Sequence, residues 1–589
     1  MTQAHDPITV EVLRNAFTAV CNEMALVVKK TAYSTVVNEG NDFGGGLYDA
    51  EGRLVAQGEF DLPAFVGLTH LTVPEVIRSV GREQMRPGDV YMINDPYVAS
   101  THCNDIHFVK PVFWQGQLVA FTSSTAHWSD VGGVVAGSLN CNARSQFEEG
   151  MRIPAVAICK AGTVDRELVS LLVTNMRQSW ERIGDLNAQL AAVRAGDTRV
   201  QALLARHGAE TFLAAMAEVQ NHAERLARAA FAALPDGVYR GEDRVDQDVA
   251  TGEPVTVRLR LTIAGDQAVF DLEESDDAAQ SGINCTIAAT TSAVFIGMAS
   301  ILPPMPMNAG VMRAVTIRAR PGSIVWAQPP AAISGLAITS MDCVIGAVLI
   351  ALGKAQPERA VGLPSACVNS TFAGHDTRPE FESSFINYVW AFGGTGGTRE
   401  RDGGNNLASP YSASSTNIPC EMQERRYPVL YWRHMLLPDS GGPGRSRGGC
   451  ALEQLLQPST PGSLSNITNR ARFGPPGVFS GEEGRTSRLV GNPGTEKERN
   501  IGTFIVNAPI GPGELLSFWS CGGGGYGDPL EREPARVLED VRDGYVSIEG
   551  ARSQYGLVVR EVDGRRLEYA VDEKASAGLR RELRAARDG

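Results

Sequence analysis

VYMINDPYVASTHCNDIHFVKPVFWQGQLVAFTSSTAHWSDVGG, residues 90–133, is the stretch that decides how this chain is read. Two strand-like runs flank Gln115-Gly116, a dipeptide suited to a tight turn, so the segment predicts a β-hairpin. Two His-x-x-Asp units, His102-Cys-Asn-Asp105 and His127-Trp-Ser-Asp130, stand on either side of that turn. If the strands fold back there, Asp105 comes opposite His127 and His102 opposite Asp130, within one residue of register, and four ligand-type side chains converge. Imidazole nitrogen with carboxylate oxygen suits divalent zinc, manganese or iron. The plain alternative is histidines at strand ends and an Asp105 that closes a turn. His107 and Cys103 lie nearby without mirrored partners and read as a strand residue and a small buried thiol.

Working outward, Asn38–Gly46 reads NEGNDFGGG and leads into a second hairpin, Phe43 to Asp49 and Leu54 to Ala56, around Ala50-Glu51-Gly52-Arg53. Asp42 sits among glycines that let the backbone turn sharply and let a substrate approach. Its carboxylate is a candidate general base; a turn aspartate bonded to its own backbone is the competing reading, and Glu39 has the same ambiguity. From Asp6-Pro7, Leu13, Phe17, Val20, Met24 and Val27 recur at helical spacing. After Leu168 the pattern is helical as far as Leu234-Pro235-Asp236-Gly237, where a domain boundary is placed. Beyond it VTVRLRLTIAGDQAVFDLEES, residues 255–275, alternates as a hairpin, a helix is expected around Thr290 to Ile301, and glycine and proline become dense from Gly393. The expected fold is mixed α and β and multi-lobed, with the hairpin site in the N-terminal part, a helical middle and a strand- and loop-rich C-terminal half. The regions are 1–235 (α/β, carrying the site), 236–530 (β-rich, Gly/Pro-rich) and 531–589, a helical and strand extension whose end reads as a charged, fraying tail.

A chain of 589 residues exceeds what one core supports, so several lobes are expected. A net charge of −13 disfavours a basic nucleic-acid footprint. The N-terminus has no basic segment followed by an apolar one, and CVIGAVLIALG, from Cys343 to Gly353, is too short to span a bilayer. With ten cysteines spread singly and no C-x-x-C pair, these features predict a cytoplasmic protein with reduced thiols and no membrane partner. Three glycine clusters, FGGTGGTRERDGG from Phe392, DSGGPGRSRGG from Asp439 and SCGGGGYGD from Ser520, lack G-x-x-x-x-G-K-[ST] and read as turns. Arg445 and Arg447 read as a solvated basic loop.

The residues also carry a resemblance. DFGGGLYDAEGRLVAQG, NDPYVASTHCNDIHFVKPVFWQGQLVAF, AHWSDVGG, EEGMRIP, SGINCT, STNIPCEMQERRYP, DSGGPGRSRGG and CGGGGYGDPLEREPARVLEDVRDGYVS, in this order, resemble the hydantoinase B/oxoprolinase family along nearly the whole chain. The resemblance implies the B-type half of an ATP-dependent enzyme that opens a small cyclic amide such as hydantoin, 5-oxoproline or a lactam. The alternative it implies is the metal-containing subunit of an acetone- or acetophenone-type carboxylase acting on bicarbonate. ATP and magnesium would sit on an A-type partner with an actin-like fold, in a dimer of A-B pairs; that partner would phosphorylate the amide oxygen or bicarbonate. The metal positions of related subunits fall on His102, Asp105 and His127, the family's D-F aspartate falls on Asp42 as general base, and Asp130 is expected to orient His127. The chain departs from the family at two motifs: E-R-x-D-F-S is Glu39-Gly-Asn-Asp-Phe-Gly44 here, and P-x-H-x-G is Pro63-Ala-Phe65-Val-Gly67, so an arginine, a serine and a histidine are replaced.

Overall fold

The computed structural model describes residues 6–381, 383–563 and 567–588. Asp6 caps the first helix, Pro7–Thr31, by accepting from the amides of Ile8 and Thr9. The buried stripe of that helix, with Leu13, Phe17, Val20 and Met24, packs with a second long helix, Ser179–His207, on one side of a sheet. The sheet has seven antiparallel strands: β1 (Phe43–Asp49), β2 (Leu54–Gln57), β3 (Val90–Ile93), β4 (Asp105–Trp114), β5 (Gln117–His127), β6 (Val156–Lys160) and β7 (Thr163–Val164). Their order is β2-β1-β5-β4-β3-β6-β7.

Strands β4 and β5 turn at Gln115 and Gly116, both at positive φ (49° and 83°), as a two-residue hairpin loop that matches strand twist requires. The ladder opens with Trp114 opposite Gln117 and Phe113 opposite Leu118, then skips Val119, so that Val112 meets Ala120 and Asp105 meets His127. Without that bulge Asp105 would pair with Ala126, and His127 would project from the other face. Ile106, Phe108 and Val112 point toward the two long helices, and Asp105, His107 and Val109 point away from them.

Strands β8 (Gly237–Val245), β9 (Val255–Ala264), β10 (Gln267–Asp271) and β11 (Val315–Arg318) form a second sheet, packed on the helix Ser340–Ala355, which packs in turn on the helix Ile287–Ile301. Both helices are apolar nearly all round, the pattern of helices enclosed on every side. Residues 336–355 are apolar and long enough to cross a bilayer by composition, and 89% of their most apolar 18-residue window is buried inside the fold. The surrounding apolar cluster also takes in Phe65, Leu68 and Leu139, so this core runs across the boundary expected at residue 235. A third sheet contains β12 (Val368–Asp376) and β13 (Ser383–Ala391), followed by strands Gly462–Ile467 and Phe504–Ile510.

Most of the three glycine clusters is not turn. The chain reverses at Thr398–Arg401 and turns at Asp439, but apart from Gly527 none of the clusters' glycines has positive φ, and the segments lie side by side. Gly523 donates to Gly449 O at 3.0 Å, Gly442 to Gly523 O at 2.8 Å, Gly397 to Gly524 O at 2.9 Å and Gly524 to Leu363 O at 2.8 Å. A Cβ on Gly522 would overlap the carbonyl of Ser440, and one on Gly523 the carbonyl of Thr395. Glycine is required here because backbones meet with no room for a side chain, as at the axis of a collagen helix. Arg447 is likewise not in a solvated loop: it is buried, with its Nε 3.5 Å from Asp540. The C-terminal helix, Glu573–Asp588, is docked rather than frayed, since Arg580 donates to Tyr555 O at 3.0 Å and Arg587 pairs with Glu482 and Asp528. Gly589, the last residue of that segment, lies outside the described residues.

Gly523→Ala should therefore lower the melting temperature sharply or abolish soluble expression, an overpacking cost of about 3 kcal/mol or more. Gly511→Ala, where an added Cβ meets nothing within 4 Å, should leave melting unchanged in the same thermal scan.

Candidate active site

The bulged register places Asp105 and His127 side by side on the face away from the long helices, and the Asp105 Oδ1 to His127 Nδ1 distance is 3.0 Å. His102, just before β4, completes the group: its Nδ1 lies 3.6 Å from Asp105 Oδ2, and its ring stands at 85° to that of His127 with centroids 4.9 Å apart. One ligand atom from each of the three residues lies within 4.8 Å of the others, and all three are buried. Thr101 donates its hydroxyl to Asp105 Oδ2. The same ladder brings in Asp42, because Phe43 pairs with Ala126 and the His127 amide donates to Asp42 O at 3.1 Å. Asp42 Oδ1 is buried and finds no hydrogen-bond partner among the described residues, so it is not a turn aspartate tied to its own backbone.

Burial sets the electrostatics. It pushes the carboxyls of Asp42 and Asp105 above the usual range, with His127 opposing the rise at Asp42 and His102 opposing it at Asp105. Burial also lowers His127 and brings His102 down to about 4, so both imidazoles are held neutral, the form that binds metal. Tyr388 from β13 sets its hydroxyl beside His127 Nε2. Its hydroxyl lies 2.9 Å from Gly137 O and 3.1 Å from Ser129 O, which can only accept, and 3.4 Å from His127 Nε2. In the arrangement where the phenolic proton goes to a carbonyl, the phenol oxygen accepts from Nε2–H and His127 Nδ1 faces the Asp105 carboxylate as a bare lone pair; in the other, Nδ1–H donates to Asp105. In the first arrangement, two acceptors face to face need a proton or a cation between them. The buried, unpartnered Nδ1 of His102 points to the same requirement, so the donor set fits a divalent ion.

The other residues singled out by sequence fall elsewhere. Asp130 is not opposite His102 and makes no hydrogen bond to His127. Its Oδ1 accepts from the amides of Gly132 and Arg177 and its Oδ2 from the Gly137 amide and the Arg177 guanidinium, all at 2.9–3.0 Å, so it ties the 131–137 loop to Arg177. Glu39 caps the short helix Thr35–Asn38, receives the Thr416 hydroxyl on its carbonyl and is not among the residues lining the pocket. His107 is satisfied by Thr125 at 2.7 Å and Ser100 at 3.2 Å, and Cys103 is a buried free thiol.

Asp42, His102, Asp105 and His127 open onto one pocket of about 50 Å³, several times what a single water needs. Phe65, Trp390, Phe392 and Tyr411 also line it, with Ser334, Ser412 and Ser415 among them. Trp390, Phe392 and Tyr411, with Tyr388, come from sequence far beyond the hairpin, where nothing local marks them; Tyr388 is 261 residues from His127.

A family model described as hydantoinase B/oxoprolinase matches residues 6–529. The chain is 34% identical over 580 residues to the beta chain of the caprolactamase of Pseudomonas jessenii, covering 94% of this chain and 96% of that one. It is 28% identical over 585 residues to the B-type chain of a putative D-/L-hydantoinase from a Pseudomonas species, covering 96% and 97%. The crystal structure of the ATP-dependent caprolactamase from Pseudomonas jessenii superposes with a TM-score of 0.88 at 32% identity, over 98% of this chain and 100% of that one. The nucleotide-free acetone carboxylase shares the fold, with a TM-score of 0.89 at 22% identity over 99% of this chain and 83% of that one.

Proposed function

This chain belongs to the hydantoinase B/oxoprolinase family, and on that premise we propose that it is the amide-opening subunit of a heteromeric, ATP-dependent hydrolase of small cyclic amides. The observation that carries the reading is the convergence, in one pocket, of a buried unpartnered carboxylate oxygen on Asp42 with the His102, Asp105 and His127 group. An unstrained amide resists water because resonance stabilises it and an amine leaves poorly, so coupling to ATP supplies the driving force. A nucleotide-binding partner subunit activates the ring amide by phosphorylation, in keeping with the relatives' names, which describe them as single subunits of larger enzymes.

His102, Asp105 and His127 would hold one divalent cation, zinc or manganese by the donor set; bound there, it supplies Lewis acidity toward a carbonyl oxygen or a water. Asp42 takes the proton from the attacking water. Its raised carboxyl pKa suits that task, since a base works best when its pKa lies near the working pH. Tyr388 accepts from His127 Nε2–H in the tautomer that leaves Nδ1 free. The carboxylase alternative shares these residues and differs in product, so labelled bicarbonate appearing in the product would replace the hydrolase reading.

Asp42→Asn, assayed with the partner subunit, ATP and a panel of cyclic amides, should lower kcat by about 100-fold or more while metal content and partner binding stay intact. Wild-type turnover in that variant removes Asp42 from the mechanism. His127→Ala should lose the bound divalent ion by elemental analysis of the purified complex, and full occupancy would refute the ligand set.

A further inference from the structure

The pocket joins two unlike sets of residues. Asp42, Asp105 and the two histidines are one; the rings of Phe65, Trp390, Phe392 and Tyr411 form an aromatic wall interspersed with Ser334, Ser412 and Ser415, and among the described residues no lysine or arginine lines it. Two glycines make the aromatic side possible. A Cβ on Gly40 would stand 2.5 Å from Cζ3 of Trp390, and a Cβ on Gly44 would stand 3.0 Å from Cδ2 of Phe65. Carbon atoms settle at about 3.5–4.0 Å, so both rings occupy space that a side chain at positions 40 or 44 would contest. Trp390 is held by its Nε1–H donating to Asn369 Oδ1 at 3.1 Å and by stacking on Phe392, centroids 6.3 Å apart and planes at 29°. Phe65 stands edge-on to His107 at 6.5 Å.

We propose that this wall makes the pocket selective for uncharged cyclic amides, whose ring carbons lie against Phe65 and Trp390, and that it rejects ring amides bearing a carboxylate. The inference rests on the amide-opening reading and adds the substrate class. With the amide directed at Asp42 and the histidines, the ring methylenes face the rings of Phe65 and Trp390, where their burial is favourable. A carboxylate on the ring, turned to that wall, would be buried against Phe65 and Trp390 with no lysine or arginine of the pocket to pair with. An unpaired buried charge is costly, whereas a methylene is not.

The test is a matched pair: 2-pyrrolidinone and 5-oxoproline, the same ring without and with a carboxylate. Binding to the assembled complex with its partner subunit is measured calorimetrically, both metal-loaded and after chelation, so that attraction of the carboxylate to an ion is separated from the effect of the wall. The neutral ring should bind at least about 30-fold more tightly in both states. Equal or tighter binding of 5-oxoproline after chelation, or no binding of either ring, overturns the proposal. Preferential binding of 2-pyrrolidinone without its opening keeps the selective wall and removes the hydrolase reading, which separates the two failures. Phe65→Arg, which puts a cation in the wall, should narrow the preference at least about tenfold, and Phe65→Ala should weaken 2-pyrrolidinone about tenfold without helping 5-oxoproline. An unchanged ratio in a folded Phe65→Arg complex, or unchanged neutral-ring binding in Phe65→Ala, counts against it.

Discussion

Asp105 and His127 share a face because one residue, Val119, is left out of the ladder between β4 and β5. Side chains alternate strictly along a strand, so a shift of one residue decides whether the carboxylate and the imidazole meet or lie on opposite sides of the sheet. The rest of the site inherits that choice. β1 pairs with the same β5, so the register that presents His127 also sets Asp42 beside it through a backbone hydrogen bond. His102 enters from the turn before β4, where Ser100 binds the backbone carbonyls of His102 and Asp105.

The face chosen is the one away from the long helices, and its polar groups are densest where the chemistry sits. Further along it, Tyr48, Tyr91, Val109 and Phe121 close an ordinary apolar cluster. Around His102, Asp105 and His127, burial without full hydrogen bonding disfavours charge on every group: the carboxyls are pushed toward protonation and the imidazoles toward neutrality. That state favours a divalent ion, since neutral imidazoles present lone pairs without first losing a proton and a cation can replace the proton that Asp105 and His127 would otherwise share.

Much of this hairpin was legible because its signals are local. Mirrored His-x-x-Asp units and a turn dipeptide fix the approximate register, and the bulge supplies the one residue of slack that this pattern leaves open. Asp130 was misplaced for the opposite reason: its partner Arg177 lies 47 residues away, on a segment the pattern shows only as helical. The glycine clusters were misread because composition does not distinguish a glycine needed for positive φ from one needed for close backbone packing. Only the long-range pairing of residues near 363, 395, 442, 449 and 523 does so. Trp390 and Tyr411 were invisible as site residues, being aromatic residues in a half of the chain that reads as strands and loops. Gly40, Gly44 and Phe65 stood out as departures from a motif, yet what they do follows only from the rings beside them.

The glycine bundle and the pocket are parts of one construction. β13 ends at Ala391, Phe392 follows it into the pocket wall, and Gly393 and Gly394 then enter the packed backbones, where Gly394 donates to Cys521 O at 3.2 Å. The strand that carries Tyr388 to His127 and Trp390 to Gly40 is therefore anchored, within four residues of Trp390, in a region where glycine backbones pack directly on one another and leave little room for side chains to rearrange. A phenol that must sit between two carbonyls and an imidazole nitrogen tolerates little drift of its backbone, and groups that fix a site work best on elements whose own positions are over-determined. Close-packed glycine gives that rigidity to loop-rich sequence, which explains how a region with few long elements can hold one wall of a site whose other wall is a seven-stranded sheet.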